Sequence, residues 1–184
     1  QDSPSELIFD EFEELVFNQH AIGRSILGNE KQIMKFTRED ILRFMDDNYA
    51  TSEMVLSYVG AVPFSRIIKM AETYFGPVPE KSRRRKRIHP NSYLPRSVQS
   101  RRNTHQVHAA VGNIGAAAKD TKRYPLALLN NILGGPGMNS RLNISLREKS
   151  GYSYNVESHY TAYSDTGIFN VYFGCDKENY EKSL

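Results

Sequence analysis

The chain has 184 residues, of which 39% are hydrophobic and 24% charged, and its formal net charge is +3. This composition is typical of a packed globular protein and argues against a disordered one. No run approaches the roughly 18 to 20 apolar residues of a membrane span, so the sequence predicts no membrane association. Cys175 is the single cysteine, which is typical of a reducing compartment. We expect a cytoplasmic protein, and a periplasmic location stays open because a targeting segment could precede residue 1.

The positive charge is concentrated in one short segment. Residues 1–80 carry a net charge of −7 and residues 103–184 a net charge of +1, whereas residues 81–102 hold nine basic residues and no acidic ones. Four prolines and the run RRRKR lie in or next to this segment, which predicts an exposed linker at 78–96. An anion-binding or nucleic-acid-binding segment is the alternative interpretation.

The first part of the chain predicts three helices and one strand. The stretch SPSE is a capping box with proline at the first helical position, so a helix should run from Pro4 to about residue 17. The stretch TRED predicts the start of a second helix at Thr37. The apolar, β-branched run MVLSYVGAV predicts a strand at about 54–60, and Pro63 begins a further helix.

The second part mixes strands and helices again. HQVHAAVGNIG predicts a strand, Pro125 opens a helix, and Ser140 caps a short helix. YSYNVESHYTAY and GIFNVYFG predict two strands of a β-hairpin, followed by the start of a helix after Asp176. The order of elements predicts an α+β fold with helices on one face of a mostly antiparallel sheet.

The histidines offer a weak case for a bound metal. Neither HxxEH nor HExxH occurs in the sequence. His105 and His108 form an HxxH, but on a strand two side chains at this spacing point to opposite faces. A metal site remains an alternative, and ordinary strand histidines are the favoured interpretation. The sequence therefore predicts no metal ligand and no catalytic base in this chain.

Arg147 and Tyr154 are a candidate pair, seven residues apart on either side of a short turn. Arg147 falls in the last turn of the predicted short helix, where a cation interacts favourably with the helix dipole. Tyr154 falls near the start of the next strand. Their donors could converge on one carbonyl or developing oxyanion. The residues alone leave open whether the pair is functional or is an ordinary helix end followed by a strand residue.

Several stretches together resemble the pitrilysin/insulinase family of zinc metallopeptidases, and among them the short bacterial branch related to mitochondrial processing peptidase. These are GRSILGNEKQI, FTREDILRFMDDNYATSEMVLSYVGAV, AETYFGPVP, LNNILGGPGMNSRLNISLREKSGYSY and YSDTGIF. The resemblance implies a metallohydrolase-type α+β domain that is duplicated, with a linker between the copies. It also implies a substrate chamber between paired halves or subunits.

The resemblance further implies that this chain holds two partial copies. Residues 1–77 resemble the end of the first domain, 78–96 the linker, and 97–184 the front of the second, substrate-holding domain. The family's HxxEH is absent and would lie upstream of residue 1, as would the glutamate that completes its zinc site. We therefore expect zinc in the full-length parent or partner, no cofactor in this chain, and no activity of the chain by itself.

In the family an Arg and a Tyr, seven residues apart, hold the substrate, and Arg147 and Tyr154 match them in identity and spacing. The resemblance thus implies a peptide substrate and a homo- or hetero-dimer of peptidase-like subunits, without nucleic acid. The resulting hypothesis is the substrate-binding half of a zinc-dependent metalloendopeptidase. A non-catalytic peptidase-like subunit is the first alternative, and an anion-binding or nucleic-acid-binding module that uses the basic linker is the second.

Overall fold

The structure, a computed structural model, describes residues 3–82, 86–90 and 93–184. The chain divides into two compact units. One contains the residues up to Leu27 together with His89–Leu184, and the other is Gly28–Ile88. The first unit is called the sheet unit below because it contains the described β-strands, and the second is called the helical unit.

The sheet unit is organised around a three-stranded antiparallel sheet of order β1-β3-β2. The predicted hairpin is confirmed, because β2 and β3 are adjacent in sequence and pair antiparallel. The strand predicted from HQVHAAVGNIG is also confirmed and pairs with the other side of β3. The strands are β1 (Val107–Gly115), β2 (Ser153–Ala162) and β3 (Gly167–Cys175).

Helical elements lie before, between and after the strands. The α-helices are α1 (Pro4–Val16), α2 (Glu30–Ile33), α3 (Arg38–Asn48), α4 (Phe64–Phe75), α5 (Arg123–Gly134) and α6 (Tyr180–Ser183). Short 3₁₀ turns occupy Ala21–Gly23, Thr51–Glu53 and Lys177–Asn179. The short helix predicted after Ser140 is present, but its residues Asn143–Lys149 form a π-helix.

Helix α1 covers one face of the sheet. Its apolar residues recur at helical spacing, so Phe12 and Val16 point to the same side and are buried with Phe17 against Ile168 of β3. The helix begins at Pro4 as predicted, but the capping box is wrong. The hydroxyl of Ser3 is 2.9 Å from that of Ser5 and caps no backbone amide.

The opposite face of the sheet carries a second apolar cluster. Val156, Phe173 and Cys175 are almost fully buried there. Leu142 and Leu146, from the helical segment that precedes β2, pack against them. Helix α5 lies on the same face, where the hydroxyl of Ser158 donates to the carbonyl of Asn130 at 2.8 Å. The α+β class is thus confirmed, with helices on both faces of the sheet rather than on one.

The helical unit buries little apolar surface. Among its described residues Ala50 is the only buried hydrophobic residue, while Val59 is fully exposed and Phe64 is 78% exposed. Helix α3 begins as predicted, with a capping box in which the Thr37 hydroxyl accepts from the Asp40 amide and the Asp40 carboxylate accepts from the Thr37 amide. Local hydrogen bonds, rather than a core, therefore account for the ends of these helices.

The strand predicted at 54–60 is wrong. Thr51–Glu53 form a 3₁₀ turn, and the residues after it have no regular secondary structure before the turn that precedes α4. A β-strand needs a neighbour to accept and donate its ladder hydrogen bonds, and no strand of the described helical unit pairs with this run. The β-branched composition sets an extended preference but cannot supply that neighbour.

The predicted linker lies partly outside the described residues, because 83–85, 91 and 92 are not among them. Lys81 belongs to the helical unit, since its amide donates to the Thr51 hydroxyl at 2.7 Å and its ammonium group contacts Asp46. Lys86 and Arg87 are exposed and have no regular structure. The predicted domain boundaries were 1–77, 78–96 and 97–184. The two compact units have other boundaries, and the division into two partial domains stays a prediction.

Candidate functional site

The segment that carries Arg147 is a π-helix anchored on its inner side. Leu142 and Leu146 pack into the apolar cluster of the sheet, so the neighbouring Arg147 is directed outward. The side chain of Arg147 is 48% exposed, and its Nε lies 3.8 Å from the carboxylate of Glu148. An ion pair of this length between exposed groups contributes little to stability. π-Helical turns are rare and occur frequently at functional sites.

A left-handed glycine connects this helix to β2. Gly151 has φ +62°, a conformation that side chains with a Cβ rarely adopt. Its amide donates to the Arg147 carbonyl at 3.0 Å, and the Tyr152 amide donates to the Leu146 carbonyl at 2.8 Å. The pair of bonds resembles a Schellman ending, widened by the π-helix. It reverses the chain directly into the strand that carries Tyr154.

Tyr154 occupies a β-bulge at the start of β2. Ser153 pairs with Cys175 and Asn155 with Gly174, which leaves Tyr154 as the extra residue. The buried hydroxyl of Ser153 lies 2.7 Å from the carbonyl of Asn155 and 2.9 Å from that of Gly174, so its single proton can be donated to either oxygen beside the bulge. Bulges re-aim side chains and are over-represented beside active sites. The Tyr154 side chain is accordingly 57% exposed.

The hydroxyl of Tyr154 donates a hydrogen bond of 2.8 Å to the carboxylate of Asp176. Asp176 directly follows β3, so the antiparallel pairing of β2 with β3 brings it beside the bulge. The hydrogen bond to Asp176, together with that residue's negative charge, raises the pKa of the Tyr154 hydroxyl above its usual value of 10. The hydroxyl is therefore a protonated donor at neutral pH.

The two predicted site residues thus flank one turn and are both exposed, while each contacts a carboxylate of its own: Glu148 for Arg147, Asp176 for Tyr154. Their joint role in substrate binding stays a prediction. Asp176 and Ser153 were not predicted from the sequence as parts of this site. Asp176 is 22 residues from Tyr154 and was predicted only as a helix start, so strand pairing was the missing information.

The histidines occupy structural positions. The Nδ1 of His108 on β1 lies 2.8 Å from the Tyr172 hydroxyl, and burial lowers the pKa of His108. His105 precedes β1, so the predicted strand geometry of the HxxH does not apply to it. His159 lies 3.3 Å from the Glu157 carboxylate. Within residues 3–82, 86–90 and 93–184, no three His, Cys, Asp or Glu side chains are grouped as a metal site, so these residues do not fit a zinc ion.

The sequence matches a model of the family described as "Peptidase M16 inactive domain" over residues 35–184. The chain belongs to this family. The match includes the π-helix, the left-handed turn, the bulge and Asp176. The predicted resemblance to zinc metallopeptidases of the pitrilysin/insulinase type is thereby confirmed, since the relatives below carry the same kind of name.

Relatives of the M16 domain are named as proteases. An uncharacterized zinc protease of Streptomyces coelicolor is 31% identical over 95% of this chain and 39% of its own length. One from Rickettsia felis is 34% identical over 94% of the chain and 41% of its own. A probable mitochondrial-processing peptidase subunit beta of Schizosaccharomyces pombe is 28% identical over 91% and 39%. The chain spans about two fifths of the length of these curated relatives.

Solved structures share the fold of the M16 domain. A peptidase M16 inactive domain from Pseudomonas fluorescens superimposes with a TM-score of 0.77 at 23% identity, over 96% of this chain and 43% of that one. Complex III2 from Candida albicans gives 0.79 at 16% identity, over 96% and 43%. These likenesses show the fold alone. In the parts of the chain that the structure describes, no helix has both the length and the apolar character needed to cross a membrane.

Proposed function

We propose that this M16 domain is the substrate-holding part of a zinc-dependent endopeptidase, in which Arg147 and Tyr154 bind the backbone of a peptide. The chain is proposed to be inactive by itself. The observation that carries the proposal is the placement of both side chains: they extend into solvent from a π-helix and a β-bulge, two irregular elements joined by a left-handed glycine.

The irregular elements around Arg147 and Tyr154 support this function because such geometry is rarer than a regular helix and strand. A π-helix and a β-bulge each depart from the regular geometry and occur frequently at functional sites, while the glycine with positive φ between them is a common way to end a helix. Here the three follow one another between Asn143 and Asn155. They direct a guanidinium and a phenol outward, and both groups can donate hydrogen bonds to a carbonyl oxygen.

The whole protein is proposed to supply the zinc site from residues outside this chain, because the described residues group no suitable ligands. The names of the relatives as zinc proteases support a zinc-containing parent. A dimer of peptidase-like subunits is part of the proposal, and a relative that is named as a peptidase subunit supports it. A peptide chain is the proposed substrate.

Two substitutions in the full-length protein test the proposal. Tyr154→Phe removes one hydroxyl from an exposed side chain, and we expect kcat on fluorescein-labelled casein to fall about a hundredfold, the typical effect of losing one oxyanion donor. Arg147→Ala should lower kcat/KM at least as much, because it removes both the charge and the packing of the side-chain stem. The melting temperature of Tyr154→Phe should hardly change.

Matched controls come from the same chain. Tyr74 is 72% exposed on α4, and Arg141 is exposed just before the π-helix, so Tyr74→Phe and Arg141→Ala remove the same groups elsewhere. Both controls should keep full activity. A Tyr154→Phe protein that cleaves casein at the original rate, or a full-length protein without any peptidase activity, would show that the proposed function is wrong.

A non-catalytic peptidase-like subunit is the second candidate. The description of the matching family as an inactive domain favours it. In this case the full-length protein would bind unfolded peptides through the same two residues and cleave none of them. Peptide binding that is weakened by Arg147→Ala, in a protein without peptidase activity, would support this candidate over the first.

A further inference from the structure

The hydroxyl of Tyr154 has a single proton, and in the structure that proton is already used. It is donated to the carboxylate of Asp176, and the two oxygens are 2.8 Å apart. Hydrogen bonds to an ionised acceptor are roughly twice as strong as bonds between neutral groups. A substrate carbonyl that takes the proton must therefore displace a better acceptor than water.

The carboxylate of Asp176 has no capping role at the neighbouring turn. Asp176 stands directly before the 3₁₀ turn Lys177–Asn179, a position where aspartate side chains often cap a helix, but this side chain accepts no cap hydrogen bond. The turn is closed instead by the backbone oxygen of Asp176, which accepts from the Asn179 amide at 3.0 Å. The contact with Tyr154 is thus a separate feature of this carboxylate.

The bulge sets the backbone at Tyr154, whereas Asp176 contacts the hydroxyl at the far end of the side chain. The buried Ser153 hydroxyl lies within hydrogen-bond distance of the carbonyl of Asn155, which follows Tyr154 in β2, and of the carbonyl of Gly174 in the paired β3. Removing the Asp176 carboxylate leaves both of these contacts in place. Its loss should therefore change the availability of the Tyr154 proton far more than the direction of the side chain.

We propose that Asp176 is a positioning residue that acts through Tyr154: its carboxylate holds the hydroxyl proton in the substrate-free protein and competes with the substrate carbonyl for it. This inference rests on the proposed function, since it concerns the same substrate-holding site. Asp176 thereby lowers the affinity for peptide and keeps the phenol from binding other carbonyls.

The test measures kcat/KM of the full-length protein on fluorescein-labelled casein. Asp176→Asn keeps the size of the side chain but removes its charge, and the new amide group can itself donate to the phenol oxygen. We expect kcat/KM to rise about threefold to tenfold, the factor that corresponds to the net free energy of one hydrogen bond. Glu178→Gln, which removes a charge from an exposed side chain two residues further on, should leave kcat/KM unchanged.

A double-mutant cycle shows whether the gain passes through the phenol. In a Tyr154→Phe background, Asp176→Asn should give no increase. If Asp176→Asn lowers the rate, leaves it unchanged, or raises it equally in the Tyr154→Phe background, the inference is wrong and the proposed function survives. If Tyr154→Phe alone has no effect, the proposed function fails and the inference fails with it.

A second measurement on the 184-residue chain is independent of peptidase activity. Tyrosine labelled with ¹³C at Cζ reports the ionisation of each phenol, and Tyr154→Phe assigns the resonance. Asp176→Asn should lower the pKa of Tyr154, because the negative charge that raises it is removed and the remaining amide oxygen is a weaker acceptor than a carboxylate. An unchanged pKa would mean that the contact with Asp176 is not formed in solution, and would overturn the inference.

Discussion

Tyr163 joins the loop after β2 to α1 through a partly buried phenol. Its hydroxyl donates to the Glu13 carboxylate at 2.8 Å, and its ring contacts that of Phe17. Burial, followed by the hydrogen bond to Glu13, raises the pKa of Tyr163 from 10 to about 12. The folded protein therefore keeps this proton at pH values where the unfolded chain has already lost it.

This difference predicts a loss of stability at alkaline pH. Between about pH 10 and pH 12 the unfolded state binds fewer protons than the folded state, so the free energy of unfolding falls as pH rises. The contribution of Tyr163 is complete below pH 10 and is lost as pH passes through the folded pKa. We expect the stability difference between the original protein and Tyr163→Phe to shrink over this range, measured by urea unfolding.

The control for this experiment is Tyr124→Phe, because Tyr124 is 63% exposed. Its stability difference from the original protein should stay constant from pH 9 to pH 12. A constant difference for Tyr163→Phe as well would contradict the raised pKa.

At the residue scale, the sequence predicted what depends on local spacing. Arg147 and Tyr154 were singled out as a pair because their identity and spacing resemble those of the family, and their role stays a prediction. The contact of Asp176 with Tyr154 and that of Ser153 with Gly174 could not be predicted, since both depend on which strand residues face each other across β2 and β3. The pairing register decides these contacts, and a hydrophobic pattern fixes the face of a strand but not its partner residues.

Gly151 is the element-scale feature on which the site geometry depends. Its φ of +62° places it in the left-handed region, and a Cβ added there would meet no atom within 4 Å. The whole penalty of Gly151→Ala is therefore backbone strain, about 1–2 kcal/mol. We expect that decrease in the free energy of unfolding by urea denaturation, with unchanged m-value.

Gly151→Asn provides the matched variant, because asparagine visits the left-handed region more readily than alanine. It should recover part of the stability that Gly151→Ala loses. Equal stability of the alanine variant and the original protein would show that the turn relaxes to a negative φ. The peptidase assay on the full-length protein would then show whether this change in the turn lowers the activity that is proposed to need Arg147 and Tyr154.

The elements that were predicted correctly have their strand partner or their helix cap close by in the sequence. The hairpin of β2 and β3 was predicted because its strands are neighbours in the sequence, and α3 because its capping box is local. The run at 54–60 has strand composition but is not a strand in the structure. The π-helix escaped prediction because its hydrogen bonds span one residue more than those of an α-helix, and the apolar pair Leu142 and Leu146, four residues apart, fits either helix.

At the scale of the whole molecule, the helical unit and the sheet unit differ in how much they bury. The sheet unit contains both clusters of buried apolar residues, whereas the helical unit buries only Ala50 among its described hydrophobic residues. Exposed apolar surface of this extent marks an interaction surface in a native protein. The expectation that residues 1–77 form the end of a larger first domain stays a prediction.

Limited trypsin digestion should cleave the basic segment 81–102 before the rest of the chain. Lys86 and Arg87 are exposed and have no regular structure, and residues 81–102 hold nine basic residues. Proteases cut first where exposed chain needs no unfolding to enter the active site. We expect the first products to end within 81–102, identified by mass spectrometry of intact fragments.

Arg123 is the internal comparison for this digestion. It lies in the first turn of α5 and its guanidinium donates to the Ala118 carbonyl at 2.7 Å, so cleavage there should be late. Early cleavage after Arg123 with 81–102 intact would mean that the basic segment is packed or covered. That result would favour the anion-binding hypothesis for these residues, which a salt titration of DNA binding could then examine.

The buried Cys175 can report how often the sheet opens. Its thiol is fully shielded at the end of β3, and burial raises its pKa, so it is inert while the sheet is intact. Alkylation must wait for a fluctuation that separates β3 from its neighbours, and its rate counts those openings. Because the sequence contains no other cysteine, events confined to Gly28–Ile88 are silent in this readout. The alkylation rate of this one thiol thus measures the opening of β3, the strand that Asp176 directly follows.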